Sequence, residues 1–91
     1  MAIVGTKRIE SAQLSFTTGS SVTANLTGLC RRVLLATDAD VYINFDADAD
    51  TTCFVLSPSN CQVYMDNMHF TTINARGVSG EGTLYLIASR E

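Results

Sequence analysis

Hydrophobic and polar residues alternate with a period of two along most of this chain, most clearly over residues 32–45. Val33 and Leu35 fall on one side of an extended backbone and Leu34 and Ala36 on the other. Asp38-Ala39-Asp40 interrupts the run, after which Val41, Ile43 and Phe45 alternate with Tyr42 and Asn44. Period two marks a strand, because successive side chains point to opposite faces of a sheet. Two such strands with three turn residues between them predict a β-hairpin, with strands over 33–37 and 41–45.

The same pattern divides the remaining chain into short extended segments bounded by turn chemistry. Ala12, Leu14 and Phe16 alternate within a strand over 9–17 that ends at Thr18-Gly19-Ser20-Ser21. A strand over 22–26 follows, closed by Thr27-Gly28. Asp46 to Thr52 reads as a polar loop leading to a strand over 53–56. Pro58, with fixed φ and no N–H, then forces a turn that predicts a second hairpin, with Leu56 opposite Cys61 and a strand around Val63 and Met65. The last strands, over 70–75 and 83–88, flank a loop whose Gly77, Gly80 and Gly82 are free to take positive φ. Leu84 to Ala88 is apolar throughout and reads as buried on both faces. About eight short strands with no substantial helix define an all-β fold, a single antiparallel β-sandwich of jelly-roll or immunoglobulin-like kind. Residues 1–10 read as an N-terminal arm and 11–91 as the sandwich domain.

Composition narrows the functions. With 46% hydrophobic residues and a net charge of −3, the 91-residue chain is a folded, mildly acidic domain. Its six basic residues are scattered apart from Lys7-Arg8 and Arg31-Arg32, which excludes a nucleic-acid partner and suggests a subunit contact. No apolar stretch approaches the roughly 20 residues that span a bilayer, and the N-terminus shows no secretory pattern, so no membrane partner is expected. Cys30, Cys53 and Cys61 have no Cys-x-x-Cys spacing and read as reduced, small buried hydrophobes.

Little in the chain resembles a catalytic site. His69 is the only histidine, no Gly-x-Ser-x-Gly elbow accompanies it, and it reads as a packed or interface residue. Asp46, Asp48 and Asp50 are the candidates for a metal site, since carboxylates two apart converge on a hard cation when the backbone is looped. Thr51 and Ser57 stand where a calcium loop starting at Asp46 needs Gly and a carboxylate, so a solvated turn is the plainer reading. Asp38 and Asp40 would join them only if both loops lay at one end of the sandwich. Gly77-x-x-Gly80-x-Gly82 reads as a strand connection, since no helix follows to present its N-terminus to a phosphate. Tyr42, Tyr64 and Tyr85, with Arg8, Arg31 and Arg76, would form a binding surface if they emerged on a common face. The interface candidates are therefore Lys7, Arg8, Arg31, Tyr42 and Tyr64, and no cofactor is expected.

Four segments carry a family resemblance: residues 32–45, the small-residue loop 46–52, the turn Phe54-Val-Leu-Ser-Pro58, and the closing Ser79-Gly-Glu-Gly-Thr-Leu-Tyr-Leu-Ile87. From about Ser11 to Ser89 the chain resembles small β-sandwich virion structural proteins of tailed bacteriophages, the capsid decoration or cement proteins. The resemblance implies a non-enzymatic subunit, made in the host cytoplasm, that binds and stabilises the outer shell. Its partners would be the major capsid protein and further copies of itself, for instance as a trimer. The alternative is a phage tail or host-recognition module, calcium-assisted through Asp46, Asp48 and Asp50.

Overall fold

Alternation of large apolar and polar side chains produces eight strands in the computed structural model, which describes residues 9–60 and 63–90. They are β1 (Ile9–Phe16), β2 (Val22–Cys30), β3 (Arg32–Thr37), β4 (Val41–Phe45), β5 (Phe54–Leu56), β6 (Val63–Met65), β7 (Phe70–Gly77) and β8 (Gly82–Ser89). The only helical element among the described residues is a 3₁₀ turn at Pro58–Asn60, where the proline's fixed φ suits the first helical position. The strands form two antiparallel four-stranded sheets in the orders β1-β8-β3-β6 and β2-β7-β4-β5. This is the eight-stranded jelly roll, which decides between the two sandwich types that the sequence leaves open.

Val33, Leu35, Leu84, Leu86 and Ala88 of the first sheet face Val41, Ile43, Leu56, Ile73 and Ala75 of the second, each at most 3% exposed. Phe16, Cys30 and Phe70 close the core, and the Phe45 and Phe70 rings meet at 4.9 Å between centroids. The space between the sheets is therefore filled by side chains.

The pairing corrects several sequence expectations. β3 and β4 form no hairpin: β3 pairs with β8 and β6, whereas β4 pairs with β7 and β5. Asp38-Ala39-Asp40 thus carries the chain across the core from one sheet to the other. The stretch around Pro58 crosses likewise, so Leu56 lies opposite Val41, and Cys61 lies outside the described residues. The hairpin is instead β4–β5, closed by the loop 46–53. β8 alternates, with Leu84, Leu86 and Ala88 inside and Tyr85 and Ile87 outside, so it is buried on one face and not both.

β2 continues past Thr27-Gly28 to Cys30, although its register against β7 slips between Asn25 and Cys30. Neighbours outside β7 hold this stretch. Glu10 Oε1 accepts the Thr27 N–H at 3.1 Å and its hydroxyl at 2.8 Å, and the Arg90 guanidinium donates to Thr27 Oγ1 at 3.0 Å. The expected arm is partly consumed too: Ile9 and Glu10 pair with Ser89 and Ala88 as the start of β1, and residues 1–8 lie outside the described residues. Gly77, Gly80 and Gly82 have no positive φ, which among the described glycines belongs to Gly19. Gly77 and Gly82 serve by their lack of bulk, since a Cβ on Gly77 would collide with the Gly80 carbonyl oxygen and one on Gly82 with Asp38.

Candidate functional site

The aspartate-rich segment is a folded strap in which the Asp46 and Asp50 carboxylates are engaged by their own chain. Asp46 sits at φ 59°, a conformation that Asn and Asp tolerate best among non-glycine residues. Its Oδ1 accepts the backbone N–H groups of Thr71 and Thr72 at 2.8 and 2.9 Å. These donors hold its carboxyl below the usual range. Asp50 Oδ1 accepts the Thr52 hydroxyl at 2.5 Å and the Thr52 N–H at 2.9 Å, which lowers that carboxyl as well.

Asp48 contributes its backbone carbonyl to Asn44 Nδ2 at 3.0 Å, while the Ala49 N–H donates to Ser21 Oγ. Asn44 points out of the second sheet and Ser21 lies just before β2, so these bonds tie the strap to that sheet, with Ala49 buried. Among the described residues, no group of three or more His, Cys, Asp or Glu could hold a metal ion. Two of the three carboxylates, Asp46 and Asp50, serve local N–H and O–H donors, in keeping with a solvated turn. Asp38 and Asp40 lie at the opposite end of β4 from this strap and cannot join it.

The other candidates disperse. Lys7 and Arg8 lie outside the described residues. Arg31 is exposed between β2 and β3, its main chain bonded to Ser89 and Met68. Arg32 forms an exposed ion pair with Asp66 at 3.0 Å. Tyr42 lies on the outer face of the second sheet beside Arg76, whereas Tyr64 and Tyr85 lie on the outer face of the first. The three tyrosines therefore share no common face. His69 is exposed in the β6–β7 connection. Cys30 is buried, and that burial pushes its thiol up; Cys53 is half-buried, and neither is disulfide-bonded.

What the topology does assemble is an apolar outer face on the first sheet. Cross-strand register puts Ile87 between Ser11 and Leu34, and Tyr85 between Gln13 and Ala36, with Tyr64 beyond Leu34. Seven large hydrophobic residues among those described are exposed, and four of them, Ile9, Tyr64, Tyr85 and Ile87, lie here. A groove of about 520 Å³ runs over the middle of this face, between the side chains of β1, β8 and β3. Such concentration on one face is the usual mark of an interaction surface. Ile9, Leu34, Ala36 and Ile87 were missed as site residues. The unbroken apolar run of β8 carries the signal, although the pattern alone fits double burial within one chain equally well.

Fold and surface together define a small jelly-roll module with one open apolar face. A scan against protein-family models finds no match, and a search of curated proteins finds no significant relative. Among solved structures, the chain is similar to a cupin superfamily protein from Desulfitobacterium hafniense DCB-2. The two share 22% identity with a TM-score of 0.58, over 100% of this chain and 75% of that one. At that identity the likeness is one of fold, and cupins are among the proteins built on the jelly roll.

Proposed function

We propose that this protein is a non-enzymatic structural subunit, a bacteriophage capsid decoration or cement protein that binds the major capsid protein and stabilises the outer shell. The observation that carries this reading is the uncovered apolar face of the first sheet, in a molecule whose opposite sheet is tied to its own strap and whose interior is filled. Such a molecule offers a surface to another protein. The resemblance of residues 32–45 and 79–87 to virion structural proteins supplies the setting. The alternative, a calcium-assisted tail or host-recognition module, loses its support at Asp46 and Asp50, whose carboxylates are occupied by their own chain.

Quantitative mass spectrometry of purified virions tests the reading. Copy numbers comparable to those of the major shell protein are expected, together with a lower melting temperature for shells stripped of this subunit. A few copies per particle, or none, would overturn the capsid assignment.

A further inference from the structure

We propose that a second copy of this chain covers the outer face of the β1-β8-β3-β6 sheet. The two copies pack face to face about a two-fold axis that runs over β3, parallel to it, in the plane between them. The inference rests on the reading of the protein as a subunit that works by assembling, and it names the occupant of the open face.

The shape of the face sets the symmetry. Tyr64 projects from edge strand β6 with 60% of its surface exposed, directly across from Leu34 on β3. On the far side of β3 lies the groove of about 520 Å³, bounded by Leu34, Ala36, Tyr85 and Ile87. Ala36, opposite Tyr85, lowers the surface there because it carries only a methyl group. Projection and recess thus flank one strand. A two-fold rotation about an axis along β3 exchanges the positions of β6 and β8, so each copy's Tyr64 meets the other's groove. An isologous contact requires this self-complementarity of one patch with itself.

Charge and area agree with a second copy as the occupant. The chain carries a net charge of −3, so copies meeting through an acidic surface would repel one another. The outward residues of these strands include one charged group, Arg32, already paired with Asp66 at 3.0 Å. The face is otherwise Ser, Gln, Thr and apolar residues, which cost little to bring against themselves. Taking about 200 Å² for a large side chain, the fractional exposures of Tyr64, Tyr85 and Ile87 amount to about 300 Å². That is over a third of the roughly 800 Å² each partner buries in a standard interface, before Leu34 and its polar neighbours are included. The apolar outward side of β8 also gains a reason, since Tyr85 and Ile87 become interior residues of the pair.

Sedimentation equilibrium of the full chain over about a hundredfold range of concentration tests the pairing. A dimer mass is expected, with Ile87→Glu raising its dissociation constant at least about tenfold and Tyr42→Glu, on the opposite sheet, leaving it unchanged. Tyr64→Ala, a truncation at an exposed edge position that the fold tolerates, should weaken the dimer as well. Amide shifts that change on dilution should map to β3, β6 and β8. A monomer throughout, a trimer mass, or a dimer indifferent to both Ile87→Glu and Tyr64→Ala would overturn the pairing. A chain that is monomeric in solution and on the shell, yet abundant in virions, would overturn the pairing and leave the capsid reading standing. A dimer absent from virions would do the reverse.

Discussion

Asp38 and Thr83 bond to each other twice: the Thr83 N–H donates to Asp38 Oδ1 at 2.7 Å, and the Asp38 N–H donates to the Thr83 carbonyl oxygen at 3.3 Å. The first bond uses a side chain and the second continues the β3–β8 ladder one residue beyond Thr37 and Leu84. Together they hold the chain against the first sheet until the point where it leaves for β4. Thr37 assists, its hydroxyl donating to the Ala39 carbonyl at 2.7 Å.

Removing the Asp38 carboxylate should therefore loosen the crossing. Asp38→Ala is expected to cost about 1–2 kcal/mol, because the Thr83 N–H loses a charged acceptor, and Asp38→Asn less. Urea unfolding monitored by tyrosine fluorescence measures the difference, and amide exchange at Thr83 should accelerate in step with it.

Gly82 allows the β7–β8 connection to approach the same corner. A Cβ there would lie 2.5 Å from Asp38 Oδ1 and 2.8 Å from both Ala39 Cβ and Phe16 Cζ, whereas one on Gly80 would meet nothing within 4 Å. Gly82→Ala is expected to destabilise by about 1–3 kcal/mol through overpacking, and Gly80→Ala to leave stability nearly unchanged. Their denaturant midpoints, compared directly, separate crowding from any general effect of losing a glycine.

The strap should make the protein acid-sensitive. Asp46 is held below its ordinary value by the Thr71 and Thr72 N–H groups, Asp50 by the Thr52 hydroxyl and N–H, and Asp66 by the Asn67 N–H and the Arg32 guanidinium. A carboxyl depressed in the folded state contributes stability that is present above its unfolded pKa, near 3.8. That stability is lost as pH falls through the lower folded value. Asp46→Asn keeps a residue that accepts positive φ, so it isolates the charge. Plots of urea midpoint against pH should show a shallower acid limb for the variant and a smaller difference between the two proteins below the carboxylate range.

The two described cysteines should react at different rates. Cys30 is 1% exposed and its thiol is raised first by burial and then by Glu10, whereas Cys53 is half-buried beside Asp50. Thiolate is the reactive form and burial also denies access. Brief alkylation followed by peptide mass mapping should label Cys53 well before Cys30, with Cys30 labelled fully only on unfolding. Equal labelling of the two in the folded protein would contradict the burial of β2's C-terminal end.

Where polar and apolar residues alternate, which side chains lie inside was legible in the sequence; which strands pair was not. Val33 and Leu35, and Val41 and Ile43, are core residues, as their spacing predicts, because the two-residue period of a strand is a local property of the backbone, whereas the uniformly apolar β8 offers no such period and its inner side is set by the fold. A three-residue connection such as Asp38-Ala39-Asp40 serves equally well to fold a strand back beside its neighbour or to carry it across to the facing sheet. Both arrangements bury the same alternate residues, so the pattern is silent between them. The tertiary structure decides by placing β8 between β1 and β3 and β7 between β2 and β4, contacts distant in sequence that satisfy inner strands on both edges. The same long-range pairing brings Tyr64 and Ile87 onto one face through Leu34, and puts Tyr42 on the other. Residue type and spacing determined that this chain is a sandwich with apolar side chains to spare. Only closure of the jelly roll decided which of them meet on its surface, because neighbours across a sheet are set by the topology of the whole chain and not by any local period.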